Sequence, residues 1–588
     1  MLDFKEAWKI RIAGALNKLI SESNINGLIE GSQIIVEIPP KPEMGDLGFP
    51  MFSFAKTLRK GPPQIARDVA AMLAGDGNGF SDLAAAEGPY VNVRLNRGEV
   101  AAALLARIFD DRIPYGRPET LKDSRIMVEF SSPNTNKPLH LGHLRNDALG
   151  ESISRILKAC GADVKKVCII NDRGIHICKS MLAYQKYGEG KTPESQGVKS
   201  DHFVGDWYVT FHRMSREDPN AEEQAQEMLR KWEAGDRETV ELWELMNRWT
   251  VEGMKETYRR TQVSFDQYYF ESRTYLKGKG EILKGLEQGL FYQEEDGSIW
   301  VDLTGEQLDK KVLLRKDGTS LYITQDIGTA IFRHHDWPFD RLVYVVGSEQ
   351  QYHFKVLFTI LDKLGFRWAK NLCHLSYGMV NLPEGKMKSR EGTVVDADDL
   401  IDSLRDLALK EIHEKEREEL VGNPRATAEK IALGALHYYL LQVSPVRDML
   451  FNPQESLAFN GNTGPYLQYM GARISSLLRK DAQRQEADAP ARTLTPELLT
   501  SDQEWELLKV LEAYPEKIAE AAAKMDPSLV AGYLYELSKA FSRFYHDCPI
   551  LSAENPGLAA ARLYLAQAVL LVLKDALELI CIPFLETM

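Results

Sequence analysis

The chain has 588 residues, a length that corresponds to three or four domains at about 150 residues each. Its composition is 44% hydrophobic, 27% charged and 9% aromatic, which is ordinary for globular proteins and excludes the collagen-like, disordered and disulfide-scaffold classes. The formal net charge of -13 argues against a protein that coats nucleic acid through bulk positive charge. Any contact with nucleic acid therefore requires local basic patches.

The cysteines and the start of the chain favour a cytoplasmic protein. The six cysteines form no Cys-x-x-Cys pair and have no histidine at zinc-finger spacing, so reduced thiols are expected. The first residues lack the basic start and apolar stretch of a secretory signal. The most apolar segment, residues 563–585, carries Lys574, Asp575 and Glu578, which are costly inside a bilayer. We predict a buried helix there and no association with a membrane.

Residues 1–115 are predicted to form a small α/β module, because helical periodicity alternates with short apolar runs. The linker that follows is predicted over residues 111–123, which are rich in proline, glycine and charge. The predicted elements are a helix over 5–21, a strand over 34–38, a helix over 63–74, a strand over 90–95 and a helix over 98–109.

From Arg125 onwards the pattern indicates a parallel sheet. An apolar strand over 126–130 is followed by a polar loop, an amphipathic helix that stops at Gly161, and an apolar strand over 167–170. This succession is typical of a βαβ crossover. Since ligands of such sheets bind beyond the carboxyl ends of the strands, the loop after Phe130 is where we expect chemistry.

The remaining chain completes the predicted architecture of an α/β plus all-α protein. A charged, aromatic-rich stretch, residues 184–314, is predicted to be an inserted subdomain, and strands are expected to resume at 321–324 and 342–346. From Asp396 the periodicity is almost wholly helical and predicts a helical bundle. We thus predict an N-terminal α/β module over 1–115, a Rossmann-like parallel-sheet domain with an insertion over 120–396, and an all-helical domain over 397–588.

The first chemical motif is His140-Leu141-Gly142-His143, placed where the loop enters the helix. A helix N-terminus favours anions, and a glycine lets the backbone approach a phosphate closely. A helix cap without function explains such a short motif about equally well. Its position between a strand and a helix, with Lys137 just before it, favours a nucleotide site.

The second motif lies in residues 377–395, where Lys386, Lys388 and Arg390 stand in a short segment flanked by glycines. Clustered cations of this kind suit a loop that covers a polyphosphate, whose leaving group gathers negative charge. Alone, the motif is better explained as a solvated run of charges. In combination with the histidine motif, the functional interpretation is favoured.

The two motifs resemble the HIGH and KMSKS signatures of class I aminoacyl-tRNA synthetases, and the residues around them resemble the arginyl-tRNA synthetases in particular. The resemblance covers nearly the whole chain, so it is highly specific. The further strings that carry it are residues 45–50, 88–92, 171–174, 462–473 and 575–579.

A pocket for arginine can be sought independently, because a guanidinium requires carboxylates aimed at it. Glu129 ends the first strand, Tyr322 and Asp326 stand four residues apart where a strand is expected to turn into a helix, and Gln350 follows another strand. For either acidic residue a helix cap is as good an explanation. The resemblance implies that Glu129 and Asp326 hold the guanidinium, that Asn134 and Gln350 orient the amino-acid end, and that Tyr322 completes the pocket.

The lysine motif departs from the family pattern, since Lys388 stands where serine is usual and Ser389 stands where the second lysine is usual. The resemblance implies that Lys137 substitutes for that lysine. It also implies ATP as a substrate, with Mg²⁺ bridging its phosphates, while no set of residues is predicted to form a metal site of the protein itself. The predicted ATP ligands are His140, Gly142, His143, Gly378, Met379 and Val380.

The predicted tRNA contacts lie in the first and last domains. Tyr466, Tyr469 and Arg473 offer rings for stacking on bases and a cation for phosphate. Without the resemblance, a solvated helix face with core tyrosines is equally good. The resemblance implies that the helical domain reads the anticodon and that the N-terminal module contacts the D-loop through Tyr90 and Asn92.

The sequence therefore predicts an ATP-dependent ligase that activates L-arginine as arginyl-adenylate and esterifies tRNA(Arg). His140, His143, Lys137, Lys386 and Lys388 are the predicted catalytic residues, and a cytoplasmic monomer is expected. Two alternatives stay open at this point. One is a class I enzyme for another amino acid, and the other is a catalytically silent protein that binds tRNA or acts as a scaffold.

Overall fold

The structure is a computed structural model that describes residues 2–23, 25–74, 83–110, 112, 114–275, 277–381, 395–486 and 493–588. The chain forms two compact units, each built from separate parts of the sequence. The first unit contains Met1–Tyr115, Leu477–Tyr514 and Leu537–Val572. The second unit contains Gly116–Ser476, Pro515–Glu536 and Leu573–Met588.

The N-terminal part of the first unit is an antiparallel sheet with helices. The strands are ordered β1-β3-β2, and the third helix buries Ile65, Val69 and Leu73 at helical spacing. The elements are α1 (Leu2–Glu22), β1 (Leu47–Pro50), α2 (Ala55–Leu58), α3 (Pro62–Ala74), β2 (Leu83–Glu87), β3 (Tyr90–Arg94) and α4 (Arg97–Ile108).

The strand predicted over 34–38 is wrong. Only Glu37 forms a ladder contact, an isolated bridge to Gly48. The apolar side chains of this run do not share a buried face, because Ile34 is buried whereas Ile35 and Ile38 are 51% and 79% exposed. Without a buried face the run gains too little from packing to complete a strand.

A five-stranded parallel sheet forms the centre of the second unit. Its order is β11-β10-β4-β5-β6, and the direction of strand addition reverses between β4 and β10. This reversal is the switch point at which Rossmann-like sheets bind ligands. The Rossmann-like fold prediction is therefore confirmed. The strands are β4 (Arg125–Glu129), β5 (Asp163–Ile170), β6 (Gln267–Phe270), β10 (Arg341–Gly347) and β11 (Leu372–Tyr377).

Helices cover the sheet, and one of them replaces a predicted strand. Residues 322–324 form the first turn of α13 (Tyr322–Asp336) and not a strand, and Leu321 is the N-cap. Ile323, Ile327 and Ala330 are buried at helical spacing. An apolar run this short cannot be assigned to helix or strand from its composition. The covering helices are α5 (Leu141–Ala159), α6 (Ile175–Tyr187), α13 (Tyr322–Asp336) and α14 (Gln351–Lys363).

The predicted insertion, residues 184–314, is not one inserted subdomain, because it contains β6, which pairs with β5 of the main sheet. Before β6 a group of helices packs around Phe203, Phe211 and Met246. After β6 come two helices and a small antiparallel sheet. These elements are α7 (Pro193–Gln196), α8 (Ser200–Glu217), α9 (Ala221–Glu233), α10 (Arg237–Arg260), α11 (Glu271–Thr274), α12 (Lys277–Glu287), β7 (Tyr292–Gln293), β8 (Ile299–Val301) and β9 (Lys311–Leu314).

From Val380 onwards the regular structure of the described residues is helical apart from a short parallel pair, β12 (Val380–Asn381) with β13 (Met449–Leu450). The last helix is long and apolar enough to span a membrane by length and composition, but 56% of its most apolar stretch is buried inside the protein. This agrees with the predicted buried helix. The helices are α15 (Ala397–Glu414), α16 (Glu418–Val421), α17 (Pro424–Leu441), α18 (Pro453–Ser456), α19 (Gly464–Glu486), α20 (Asp502–Glu512), α21 (Tyr514–Lys524), α22 (Ser528–Asp547) and α23 (Pro556–Leu579).

Candidate active site

The predicted site residues converge on the carboxyl edge of the parallel sheet. Glu129 is the last residue of β4, and Gln350 follows the end of β10. Crossover helices run antiparallel to the strands that they join, so α5, α13 and α14 all begin at this edge. His140 and Asp326 therefore lie at the same edge as Glu129, beside the switch point.

The two histidines are fixed by the first turn of α5. His140 is the N-cap, and its Nδ1 accepts the Gly142 N–H at 3.1 Å, while Nδ1 of His143 accepts the His140 N–H at 3.2 Å. The ring centroids are 3.9 Å apart. A Cβ on residue 142 would lie 3.0 Å from the His140 ring, so glycine allows this close approach. With each Nδ1 accepting, the proton of each neutral ring is on Nε2.

The histidines are neutral at neutral pH. Burial and the nearby charge of Lys137 lower the pKa of His140 to about 4. Burial, His140 and Lys137 together lower the pKa of His143 well below its ordinary value. Burial also lowers the pKa of Lys137 itself. The site therefore presents two neutral Nε2–H donors beside a partly desolvated amine, which suits an anion that must be bound by hydrogen bonds.

A cavity of about 250 Å³ adjoins this motif in the second unit. Lys137 and His140 line one side, and His202 and Tyr208 from α8 line another. Asp396 also lines it and forms an isolated backbone bridge with His140. Lys386 and Lys388 lie outside the described residues, so their position relative to the cavity stays a prediction.

Glu129 is buried and already has an internal cation. One carboxylate oxygen accepts from the fully buried guanidinium of Arg333, and Oε1 lies 3.3 Å from the Ser132 hydroxyl. Burial raises the pKa of Tyr344, and the charges of Arg333, Glu129 and Asp326 also act on it, so the Tyr344 hydroxyl lies near these three groups. Glu129 and Asp326 thus both lie within electrostatic range of the Tyr344 hydroxyl, and Oε1 of Glu129 accepts from the Ser132 hydroxyl.

Two further carboxylates complete an acidic cluster that sequence reasoning missed. Glu271 directly follows β6, and Asp172 follows β5. Burial raises the pKa of Glu271 to about 7, with Asp172 and Asp326 adding to this and Arg173 opposing it. Asp172 is engaged by Ser272, whereas Asp326 accepts from Nε2 of His353 at 2.6 Å. The available sequence signal was an acidic residue straight after a short aromatic strand.

The remaining residues predicted to bind arginine lie at the rim. Tyr322 is 79% exposed at the start of α13, and Gln350 is exposed in the short helix Ser348–Gln350. Asn134 is exposed and forms a backbone bridge with Asn171. Their side chains are accessible to a ligand that enters from solvent.

The segment that contains the other predicted ATP ligands, residues 378–380, follows β11. A Cβ on Gly378 would lie 2.4 Å from the carbonyl carbon of Arg447, so only glycine fits there. Met379 is 49% exposed, whereas Val380 is buried. Of the three predicted ligands, Val380 can therefore contribute backbone groups only, while Met379 offers an apolar side chain to solvent.

The predicted tRNA residues differ in accessibility. In the first unit Tyr90 is half-buried, and Asn92 is buried with its amide donating to Glu87 at 3.2 Å. In the second unit the ring of Tyr466 lies edge-on to Tyr535, and Tyr469 packs against a buried cluster. Arg473 acts electrostatically on the Tyr466 hydroxyl. The tRNA roles of these residues stay predictions.

Comparison with known proteins identifies three matched regions. A family model of the class I (R) tRNA synthetase catalytic domain matches residues 107–453. A model of the DALR anticodon-binding domain matches residues 467–588, and a model of the arginyl-tRNA synthetase N-terminal domain matches residues 6–95.

Whole-length relatives give the same result. The arginine–tRNA ligase of Treponema denticola is 62% identical over 100% of both chains, and that of Treponema pallidum is 56% identical over 100% of both. The arginyl-tRNA synthetase of Thermus thermophilus matches with a TM-score of 0.77 and 27% identity over 98% of this chain and 99% of that one. The Plasmodium falciparum arginyl-tRNA synthetase, at 20% identity over 98% of both chains and a TM-score of 0.73, shares the fold.

Proposed function

The chain belongs to the arginyl-tRNA synthetases, and we propose that the carboxyl edge of its parallel sheet is the active site at which arginine and ATP react. The enzyme joins L-arginine to tRNA(Arg). The observation that carries the proposal is the juxtaposition, in one unit and at one sheet edge, of an acidic cluster with two neutral imidazoles.

The first step needs positioning rather than a general base. The ionised carboxylate of arginine attacks the α-phosphorus of ATP, a carboxyl–phosphate bond forms, and the bond from the α-phosphorus to the bridging oxygen breaks. Diphosphate leaves with the electron pair. In the second step the terminal ribose hydroxyl of tRNA attacks the arginyl carbonyl, and AMP leaves. Such reactions are accelerated by orientation and by charge stabilisation.

The triphosphate side of the site is formed by the start of α5. His140 and His143 donate through Nε2 to phosphate oxygens, and their Nδ1 atoms keep the rings oriented against the backbone. Lys137, together with Lys386 and Lys388, balances the charge that develops on the departing diphosphate. Mg²⁺ would enter as part of the ATP substrate and would supply positive charge to its phosphates. Gly378, Met379 and Val380 border the adenine.

The arginine side is formed by the acidic cluster. Asp326 and Glu271 face the guanidinium, and Glu129 adds its Oε1 from the floor of the pocket. Asn134 and Gln350 bind the amino-acid end, and the exposed ring of Tyr322 covers the ligand. A guanidinium demands several acceptors in a plane, which a cluster of carboxylates supplies and a single carboxylate does not.

The remaining parts of the proposal concern tRNA and the state of the enzyme. Tyr466, Tyr469 and Arg473 contact the anticodon region, Tyr90 and Asn92 contact the D-loop, and the enzyme acts as a cytoplasmic monomer away from membranes. Filter binding of a Tyr466→Ala enzyme is expected to show weaker tRNA binding, and light scattering is expected to give the mass of one chain. Unchanged binding or a mass of two chains would contradict these assignments.

The role of Lys137 is tested by pre-steady-state measurement of adenylate formation with tRNA present. Lys137→Ala is expected to slow this step by a factor of about 10² or more, the usual loss when one transition-state charge contact is removed. Lys137→Arg keeps the charge and is expected to lose less. An alanine variant that forms adenylate at the normal rate removes Lys137 from the mechanism.

A further inference from the structure

Arg145 lies in the second turn of α5, two residues beyond His143, and is completely buried. Its guanidinium donates to three backbone carbonyls: Nη1 to Met379 at 3.3 Å, and Nη2 to Pro445 at 3.1 Å and to Arg447 at 2.7 Å. Among the described residues no carboxylate lies within ion-pair distance of it. A buried charge whose acceptors are all carbonyls carries a large desolvation cost. Arg145 therefore orders the segments that it joins, but at a cost to the stability of the folded protein.

The peptide groups of residue 379 are held from both sides. The Met379 N–H donates to Oδ1 of Asp448 at 2.7 Å, and its carbonyl accepts from Arg145 and from the Met449 N–H at 2.9 Å. The Gly378 N–H donates to the Pro445 carbonyl at 2.9 Å. Arg145 thus connects α5 both to the segment 378–380 and to the loop that contains Pro445 and Arg447.

Burial lowers the pKa of Arg145 to about 10, with the charges of Tyr377 and Asp448 opposing this, so the guanidinium stays protonated at neutral pH. The neighbouring Asn146 adds two contacts in the same direction, since its amide donates to the Val345 carbonyl at 2.8 Å and to the Tyr377 hydroxyl at 3.0 Å. Helix α5 is therefore hydrogen-bonded to the carboxyl ends of β10 and β11.

We propose that Arg145 is a positioning residue for ATP, which sets the distance between the base-binding segment at residues 378–380 and the phosphate-binding start of α5. The proposal rests on the proposed function, in which the two ends of one nucleotide contact these two elements. Since ATP spans both, a shift of one relative to the other misplaces the α-phosphorus without altering the arginine pocket.

The test is a steady-state comparison of KM for ATP with KM for arginine, by ATP–diphosphate exchange with tRNA present. Arg145→Lys keeps the charge but cannot reach three carbonyls, because an ammonium lacks the planar fork of a guanidinium. It is expected to raise KM for ATP about tenfold or more, as a lost charged hydrogen bond implies, with KM for arginine changed less than about twofold.

Arg155→Lys is the matched control, because Arg155 lies on the same helix and also donates to two carbonyls, those of Glu578 and Gln262, but contacts no nucleotide segment. It is expected to leave both KM values unchanged. Equal changes of the two KM values in Arg145→Lys, or a loss of thermal stability with neither KM changed, would overturn the proposal.

Gly378→Ala separates this proposal from the one on which it rests. Its added methyl displaces the base-binding segment directly, since it would collide with the Arg447 backbone. If Gly378→Ala raises KM for ATP and Arg145→Lys does not, the positioning role is wrong and the nucleotide site stands. If Gly378→Ala leaves KM for ATP unchanged, the assignment of the base-binding segment itself is wrong.

Discussion

Each histidine of the motif performs two tasks through two different nitrogens. Nδ1 satisfies a backbone N–H that the first turn of α5 would otherwise leave unpaired, and Nε2 keeps the donor for phosphate. The structural explanation of the motif is thus confirmed, and it is compatible with the functional one, although the two compete at the level of sequence. The rings can be helix caps and ligands at once because imidazole has two separated polar atoms.

Because Nδ1 and Nε2 have separate roles, two substitutions at His140 should have different effects on stability and on rate. His140→Asn retains an acceptor near the Nδ1 position and therefore the cap, but it loses the outer donor. His140→Gln can place a donor near the Nε2 position. We expect His140→Asn to unfold at the same temperature as the wild type while forming adenylate about 10² to 10³ times more slowly.

The expected result for His140→Gln is a smaller loss of rate with a lower unfolding temperature. Single-turnover adenylate formation and thermal denaturation measure the two properties on the same samples. Equal rates for the asparagine and wild-type enzymes would contradict the Nε2 role.

Residues of the site differed in how well they could be predicted. The histidine motif is contiguous, so its placement at a helix start followed from local pattern alone. Glu129 was found as the end of a strand, but its partner Arg333 lies 204 positions away, and no local pattern shows that pairing. Glu271 was missed because the short strand before it lies in a stretch interpreted as an insertion. Asn92 was predicted as a contact residue, yet it is buried, which only the packing of β1 against β3 determines.

A network of partly buried ion pairs joins helices beside the cavity at the histidine motif. Lys199, just before α8, donates to Asp201 at 3.0 Å and to Asp398 on α15 at 2.8 Å. Arg260 at the end of α10 continues the network to Asp398 and to Glu429 on α17. The three groups Asp201, His202 and Asp398 cluster closely enough to hold a metal ion, but the ammonium of Lys199 already bridges the two carboxylates.

Removing the ammonium should destabilise the second unit strongly. Lys199→Met removes the cation that bridges the buried Asp201 and the half-buried Asp398. Arg260 still pairs with Asp398, but Asp201 loses its ion pair, and breaking a buried pair costs about 3–5 kcal/mol. Denaturation followed by the fluorescence of Trp207, Trp243 and Trp249, which pack in the insertion, measures the loss. Lys410→Met is the control on α15, since the exposed pair of Lys410 with Glu414 contributes at most about 0.5 kcal/mol.

The pH dependence of that loss follows from Asp398. Burial alone would raise the pKa of Asp398, but hydrogen bonds from His202 and Lys199 hold this pKa well below its ordinary value. A depressed pKa stabilises the folded state above the unfolded value and loses this effect as the pH falls. The deficit of Lys199→Met should therefore be complete at neutral pH and shrink below about pH 4. A deficit independent of pH would contradict the ionic explanation.

The element pattern could be predicted where the periodicity was long. The helices over 5–21 and 63–74 and the βαβ unit at the histidine motif have many residues on one face, and all form. Short runs failed for physical reasons: residues 34–38 gain no buried face, and residues 321–324 bury the side of a helix instead.

In the whole molecule, the compact units do not follow the order of the sequence, because each unit contains segments that are far apart along the chain. The last helical region was predicted as one successive domain, but its residues contribute to both compact units. Packing between segments that are distant in sequence decides this, and local periodicity carries no information about it. The residues of the proposed active site nevertheless all belong to the second unit, as a site built on one sheet edge requires.

Which amino acid the enzyme attaches to tRNA likewise depends on residues that only the folded chain brings together. A class I enzyme for another amino acid and a silent binding protein were both compatible with the single motifs. Relatives that are 62% and 56% identical over the whole chain exclude the first, and the proposed arginine pocket agrees with this because it contains an acidic cluster. A cluster of carboxylates that keeps one member protonated near neutral pH is poised for a cationic ligand, because the ligand ionises it on binding.

The central claim, that this acidic cluster binds the guanidinium, is tested most directly by KM for arginine between about pH 6 and 8. Because the pKa of Glu271 is raised to about 7, its carboxylate ionises over this range, and KM for arginine should fall as the pH rises. Glu271→Gln should abolish that dependence, and Asp326→Asn should raise KM for arginine about tenfold or more at every pH. The control Glu281→Gln, on α12, should behave as the wild type, and KM for ATP should stay unchanged in all three variants. A wild-type pH dependence in Glu271→Gln, together with an unaltered KM for arginine in Asp326→Asn, would contradict the account.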